Sequence, residues 1–470
     1  MEKPFIHLLS SINGFYFYDV NKNEVVNVDK EVYDFLTKLL NDEEVKPSEE
    51  VKGKLDKLKR NNYLSSNTLK EIRHPESDNL EYLLDRHINQ LILQVTQKCN
   101  LRCSYCAYSK FDNLDQRSHS NKEMSMETAK RAVDFFLQHS SDTEKVVISF
   151  YGGEPLLRFY FIKEIVSYAQ ESFIGKDLRF SLTTNTTLLT EEVMEYSINN
   201  NFDIMISLDG PEEIHNLNRK FSNGTGSFAK VLDNLKKLRN RYGDELKKVL
   251  RVNTVMDPKN DFDKMNSIFE NDILKYLPVN GVIVEDFFSN ERTTYSDKFI
   301  EKYIYQIFVG ILSLIDAVKD LRTYPLITTI INDMYEFGEK MIETTGLPEI
   351  GAPSGPCIPG GRRLFVNVYG KFFPCERVSE VSEVMNIGNL DEGINIKKAD
   401  NLLNVGRLTT MECKKCWALR KCSICAQKLE RDGELSEDAK LSMCDEIRTS
   451  IEGKLKEYVL LKECRTIYKI

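Results

Sequence analysis

The sequence predicts an α/β protein built on a parallel sheet that is closed or partly closed. The first reason is alternation: from Leu91 to about residue 320, short apolar β-leaning runs alternate with amphipathic helical stretches. Candidate strands are residues 91–96, 146–151, 179–184, 203–208, 249–255 and 281–285, with helices such as 128–138 and 228–239 between them. Such βα units pack as parallel strands covered by helices. The second reason is placement: residues able to do chemistry fall at the carboxyl ends of these strands, where barrels of this kind hold their active sites.

The whole chain sets further bounds. Its 470 residues are enough for two to four domains. Acidic residues outnumber basic ones, 72 against 64, and the net charge of −8 disfavours a nucleic-acid partner. The start, Met1-Glu-Lys-Pro-Phe, lacks a signal-peptide pattern. The most apolar run, residues 304–315, is too short to span a bilayer, includes Gln306 and Ser313, and reads as a buried helix. The expectation is a soluble, cytoplasmic protein with no membrane partner.

Residues 1–75 read as a separate module. Phe15-Tyr-Phe-Tyr and Val25-Val-Asn-Val are short β runs with a turn at Asn21-Lys-Asn. Asp29 can cap a helix whose apolar face is Val32, Phe35, Leu36, Leu39 and Leu40. A second helix carries Val51, Leu55 and Leu58, and Tyr63-Leu64 is placed as a closing strand. Together they suggest a winged-helix-like unit. Residues 76–90 read as a linker.

The stretch Gln94-Val-Thr-Gln-Lys-Cys99-Asn-Leu-Arg-Cys103-Ser-Tyr-Cys106 organises the rest. Three thiols at CxxxCxxC spacing cannot pair off as disulfides without leaving one over. They can ligate one face of an iron–sulfur cubane, which leaves one iron open. Zinc sites usually take four ligands in spaced pairs, and this spacing does not supply them. Phe150-Tyr151-Gly152-Gly153-Glu154-Pro155 ends the second strand, Ser181-Leu-Thr183-Thr184-Asn185 the third and Ile206-Ser207-Leu208-Asp209-Gly210 the fourth. His215 and Arg219 follow. Glycines allow a close backbone approach, and a guanidinium can fork onto a carboxylate. Asp209 also suits a turn, and His215 reads as structural.

There are 11 cysteines, an odd number that favours metal over a disulfide framework in a chain of this kind. Cys357 lies in a breaker-rich loop, and Cys375 follows an apparent β-hairpin at residues 364–375. Cys413, Cys416, Cys422, Cys425 and Cys444 form a third group, and Cys464 stands alone. Two CxxC pairs signal a metal, and taken alone zinc remains possible.

These motifs resemble the radical S-adenosylmethionine (SAM) superfamily, and the C-terminal cysteines resemble its SPASM domain. The resemblance implies a partial (β/α)6 TIM-like barrel over residues 91–320, a bridging helix at 321–350, a SPASM auxiliary-cluster domain at 351–450 and a C-terminal helix or tail at 451–470. It implies three [4Fe-4S] clusters, one on Cys99, Cys103 and Cys106 and two auxiliary. By resemblance, Cys413, Cys416, Cys422 and Cys444 hold one auxiliary cluster, and Cys357, Cys375 and Cys425 supply three ligands of the other. The family's early extra Cys is missing between Cys357 and Cys375, and the Cys422-to-Cys425 spacing is one residue shorter than usual. S-adenosyl-L-methionine would meet Tyr151, Gly152, Gly153, Glu154 at its ammonium, Thr183, Thr184, Asn185, Ser207, and Arg219 at its carboxylate. In the family, SAM cleavage gives a 5′-deoxyadenosyl radical that abstracts a substrate hydrogen. Residues 1–75 resemble the PqqD-like precursor-peptide recognition element, which binds a leader as an added strand.

The expected activity is therefore that of a peptide maturase acting on a ribosomally made Cys-rich precursor with a leader. It resembles the thioether-forming, six-cysteines-in-forty-five (ranthipeptide-type) maturases. A low-potential donor such as flavodoxin or ferredoxin would supply electrons. The alternatives are a formylglycine-forming anaerobic sulfatase-maturating enzyme, or another SPASM enzyme, and a non-catalytic iron–sulfur electron-transfer protein. In the sulfatase-maturating group an Asp precedes the hairpin Gly; here that residue is Tyr369.

Overall fold

The computed structural model describes residues 2–109, 116–284, 293–315 and 323–468. The chain opens with an antiparallel sheet of β1 (Ile6–Ser10), β2 (Phe15–Asp19) and β3 (Glu24–Val28), followed by α1 (Lys30–Leu40) and α2 (Glu49–Arg60). Asp29 caps α1 by accepting from the Val32 N–H at 3.0 Å, as its sequence position predicts. Val32, Phe35, Leu36, Val51 and Leu55 pack under Phe17. The expected closing strand at Tyr63-Leu64 is not formed. Instead the Leu64 N–H donates to the buried Asp19 carboxylate at 2.8 Å, which ends the unit as a turn.

Residues 76–90 are not a bare linker. After β4 (Glu71–Ile72) they carry α3 (Leu80–Arg86), whose Leu80 and Leu84 are buried against Ala399 and Leu403. The barrel then runs β5 (Gln90–Thr96), α4 (Met126–Gln138), β6 (Lys145–Gly152), α5 (Phe159–Ser172), β7 (Asp177–Thr184), α6 (Glu191–Asn199) and β8 (Phe202–Ser207). It continues with α7 (Glu212–Asn218), α8 (Phe228–Tyr242), α9 (Leu246–Val249), β9 (Leu250–Met256), α10 (Phe262–Ser267) and β10 (Val279–Ile283). Strands β5 to β10 pair in sequence order and all in parallel. All six candidate strands are present, and Glu285, placed at the end of the sixth, lies outside the described residues. The barrel has one continuous apolar core shared by the strands and their covering helices.

α11 (Asp297–Leu314) corrects the buried-helix expectation. Phe299, Val309 and Ile311 face inward, but Ile304, Tyr305 and Phe308 are more than half exposed. Only one face packs on neighbouring helices, so the apolar run does not mark full burial. α12 (Thr328–Glu339) and β11 (Ile350–Gly351), which pairs in parallel with β4, lead into the C-terminal part.

The hairpin of β12 (Leu364–Val366) and β13 (Lys371–Phe373) joins the barrel sheet, because β12 pairs in parallel with β5. With β14 (Gly388–Asn389) and β15 (Gly393–Ile394) the sheet reaches ten strands. α13 (Ile396–Leu403) and α14 (Thr410–Lys414) follow. The chain closes with α15 (Glu437–Tyr468), a helix of 32 residues with no break at residue 450, so residues 451–470 do not begin a separate element. Among the described residues, no helix is long and apolar enough to cross a membrane.

Candidate active site

The loop after β5 brings Cys99, Cys103 and Cys106 to the wall of a cavity of about 700 Å³ at the carboxyl ends of the barrel strands. Tyr151, Gly152, Gly153, Thr183, Thr184, Asn185, Ser207 and Arg219, all expected from the sequence, also line it. No disulfide forms; all 11 cysteines are free.

The glycines after β6 serve the cysteine loop. Gly152 has φ +142°, and a Cβ there would sit 2.0 Å from the Thr96 carbonyl oxygen. A Cβ on Gly153 would sit 2.0 Å from the Lys98 carbonyl oxygen. The Gly153 N–H donates to Thr96 O at 2.9 Å, and the Glu154 N–H to Lys98 O at 2.8 Å. Bare backbone is therefore needed to let the two loops zip together.

Glu154, expected on the SAM ammonium, lies behind the wall and does not line the cavity. It is fully buried and accepts from the Leu156 N–H at 3.0 Å, the Thr184 hydroxyl at 2.8 Å and the Asn185 N–H at 2.7 Å. Burial pushes its carboxyl up to about 7, against the pull of those donors. With both oxygens engaged, it locks the end of β6 to the end of β7. Thr184 is likewise committed to this lock. Asn185 donates to Asn100 Oδ1 at 2.8 Å and lies 3.9 Å from Cys99 Sγ, so it steadies the cysteine loop. Thr183 and Ser207 line the cavity.

Arg219 is buried beside the cysteine loop, 5.4 Å from the Tyr105 ring centre. Its Nε donates to Asp209 Oδ2 at 2.8 Å, and Tyr105 donates its hydroxyl to the same oxygen at 2.6 Å. Asp209 Oδ1 accepts from the Val255 N–H at 3.1 Å. Burial opposes the Arg219 charge, but Asp209, Tyr105 and Cys103 together outweigh it and its pKa is raised. Its Nη groups have no hydrogen-bond partner among the described residues, and Arg219 lines the cavity, so they can meet an anion there. His215 is buried behind it, accepting from the Asp209 N–H at 3.4 Å and pairing with Ser227 Oγ at 2.9 Å. Ser227 in turn donates to Arg219 O at 2.9 Å. Burial, with the Arg219 charge, lowers His215 to about 4, so the ring is neutral and structural, as expected.

The far wall comes from the C-terminal part of the chain. Glu376, Arg377 and Gln427 line the same cavity. Glu376 follows Cys375, and Gln427 lies two residues past Cys425. Glu376 Oε1 accepts from Arg363 at 2.8 Å, and its buried Oε2 has no hydrogen-bond partner among the described residues. Cys357, Cys375 and Cys425 lie close enough to influence one another electrostatically. Gln427 is the residue of this wall that the sequence did not single out, and only its closeness to Cys425 could have flagged it.

The remaining cysteines gather elsewhere. Cys413, Cys416, Cys422 and Cys444 line a separate small cavity walled by Pro353, Leu419 and Ile424. Cys464 does not join either group. It lies 20 residues beyond Cys444 on the unbroken α15, about 30 Å along the axis, and packs on the barrel core.

The Cys99–Cys106 donor set fits an iron–sulfur cluster. Burial pushes the thiol of Cys99 up to about 12 and that of Cys103 up to about 11, which disfavours the bare thiolates. Among the described residues, no three His, Cys, Asp or Glu side chains are set to share one metal ion. A cubane instead takes each thiolate on a separate iron.

Comparison with known proteins agrees with this geometry. Residues 93–269 match the Radical SAM superfamily. A cysteine-type anaerobic sulfatase-maturating enzyme of Clostridium novyi is 31% identical over 197 residues, 41% of this chain and 50% of that protein. The radical SAM cyclopropyl synthase TigE of Paramaledivibacter caminithermalis is 22% identical over 396 residues, 78% of this chain and 74% of that protein. The solved structure of anSMEcpe with bound AdoMet and a Cp18Cys peptide superposes with a TM-score of 0.55 at 21% identity, covering 81% of this chain and 99% of that one. The chain spans half or less of the length of the sulfatase-maturating relatives from Clostridium novyi and Bacteroides thetaiotaomicron. The matched residues, 93–269, cover most of the parallel sheet, and the chain shares its radical SAM α/β fold with that solved structure.

Proposed function

We propose that this chain modifies a ribosomally made Cys-rich peptide, joining a Cys sulfur to a carbon of another residue. One observation carries the reading: a single cavity is lined both by the Cys99–Cys106 loop and by residues flanking Cys375 and Cys425. A thiol presented from the second wall would face the centre of C–H chemistry at the first. The cluster and SAM, when bound, supply a carbon radical that removes a substrate hydrogen. The chain's own residues set the geometry. Arg219, held by Asp209 and Tyr105, offers its Nη groups to the SAM carboxylate. Thr183 and Ser207 offer hydroxyls, and Asn185 and Glu154 hold the cysteine loop and the ends of β6 and β7 in place.

Cys99, Cys103 and Cys106 would hold the first of three clusters. Cys413, Cys416, Cys422 and Cys444 would hold a second. Cys357, Cys375 and Cys425 would hold a third, with its fourth position open to substrate or filled by Glu376. Residues 1–75 would bind the leader along β3, the edge strand opposite the one that packs on α15. A small electron-transfer protein would deliver reducing equivalents.

The test is anaerobic reconstitution with SAM, a reductant and a short Cys-rich peptide encoded beside the gene. Loss of two hydrogens together with one fewer alkylatable thiol supports a thioether. A second reading, formylglycine formation, is favoured by the names of the curated relatives. It would give an aldehyde that reacts with a hydrazide. Absence of 5′-deoxyadenosine under all conditions would overturn both.

A further inference from the structure

The four-cysteine cavity has a buried cation beneath it. Lys440 is only 2% exposed, and lysine is almost never fully buried without partners. Its ammonium donates to Gly406 O at 3.2 Å, to Thr409 Oγ1 at 2.6 Å and to Cys413 Sγ at 3.2 Å. Thr409 Oγ1 also lies 3.3 Å from Cys413 Sγ. Since the ammonium occupies a lone pair of that oxygen, the hydroxyl proton can point at the sulfur. Cys413 thus sits at the end of two converging donors, one of them charged.

The arrangement is built into α15. Lys440, Cys444 and Arg448 recur every four residues and so share one helix face. Cys444 Sγ lies 3.4 Å from Lys440 O, and Arg448 reaches Cys416 from the next turn. Two cations therefore flank the four thiols, in a cavity otherwise walled by Pro353, Leu419 and Ile424. A bridge from Gly406 to α15 would need only a neutral donor. Burying a full charge against a thiol sulfur calls for another reason.

We propose that Lys440 raises the reduction potential of the cluster held by Cys413, Cys416, Cys422 and Cys444. This rests on the reading that those four thiols hold an iron–sulfur cluster. Such a cluster is already anionic with four thiolates, and one-electron reduction adds negative charge. A fixed ammonium at hydrogen-bond distance, in a site poor in water, favours the more reduced form. Lys440 acts through Cys413 and is a tuning residue with no contact to substrate.

The test is a dye-mediated redox titration of the reconstituted full-length enzyme, followed by EPR. A Cys413/Cys416/Cys422/Cys444→Ala variant identifies which signal belongs to this site. If it keeps its full iron content, the ligand assignment fails, whatever Lys440 does. Lys440→Met and Lys440→Gln should move that one signal to lower potential and leave the others in place, whereas Lys440→Arg should hold it near the original value. An unmoved potential in Met and Gln variants that retain the cluster would overturn the proposal. Because a variant can lose the cluster outright, the unmutated enzyme gives an independent readout. Pulsed EPR on protein made with isotope-labelled lysine should show a lysine nitrogen coupled to this reduced cluster, and its absence would also overturn the proposal.

Discussion

Replacing Arg219 with Ala should weaken SAM binding and loosen the fold, and the structure lets the two effects be separated. The guanidinium and the Asp209 carboxylate are both buried and meet at 2.8 Å. Removing Arg219 leaves that carboxylate with two uncharged donors, the Tyr105 hydroxyl and the Val255 N–H. Breaking a buried pair in this way costs about 3–5 kcal/mol. That is a large share of the roughly 5–15 kcal/mol that holds a domain together. Loss of a charged hydrogen bond to the ligand costs about 1.5–3 kcal/mol, which raises the dissociation constant roughly ten- to a hundredfold. Asp209→Asn breaks the ion pair but leaves the guanidinium in the cavity wall. It should lower the denaturation midpoint yet change SAM affinity far less than Arg219→Ala. Calorimetric titration with SAM on anaerobically reconstituted protein, beside denaturant melts, gives both quantities. Unaltered SAM affinity in folded Arg219→Ala protein would refute the carboxylate contact. Equal loss of affinity in both variants would show that Arg219 acts only through the fold.

Three further outcomes are expected. Cys99/Cys103/Cys106→Ala should remove one cluster's worth of iron and abolish 5′-deoxyadenosine formation; product persisting in that variant would sink the assignment. Gly153→Ala drives a Cβ to 2.0 Å from Lys98 O and 2.9 Å from Cys99 N. At a cost of about 1–3 kcal/mol for overpacking, it should displace the cysteine loop and lower iron content while the far-UV spectrum is retained. His215 makes stability fall in acid, since its folded-state value is lowered from 6.5 to about 4. The contribution is full above pH 6.5 and is lost as the pH drops toward 4, because the unfolded chain takes up a proton that the folded chain refuses. The loss is at most about 1.4 kcal/mol per pH unit. Denaturant melts between pH 7 and 5 should show it, and a His215→Gln variant should flatten the slope.

The strands and the cysteine loop were legible because both obey local rules. A strand buried on two faces leaves an apolar run, and CxxxCxxC places its thiols within one loop. What the sequence hid depends on distant partners. Gly152 and Gly153 look like a ligand cradle, but their tightest neighbours are the carbonyls of Thr96 and Lys98. Glu154 looks like a ligand side chain, yet its oxygens are taken by Leu156, Thr184 and Asn185. Ile304, Tyr305 and Phe308 look buried because apolar residues usually are, but which face of α11 finds a neighbour is a tertiary matter. The pairing of β12 with β5 joins residues more than 270 apart, and no short window shows that.

The last helix has a consequence for how the molecule comes apart. α15 spans 32 residues, about 48 Å. Near its start it supplies Lys440 and Cys444. Along its middle, Ile447, Ile451, Leu455 and Val459 share a core with Phe5, Leu9 and Tyr18 of the N-terminal sheet. Farther on, Leu461 enters the barrel core, and Glu463 accepts from Tyr16 at 2.5 Å and from the Ser11 hydroxyl. Arg420 adds a donor to Val20 O at 2.7 Å. A single rod thus pins the sheet, the barrel and the four-cysteine cavity to one another. The three should melt in one calorimetric transition, and trimming the chain at residue 450 should collapse all of them together.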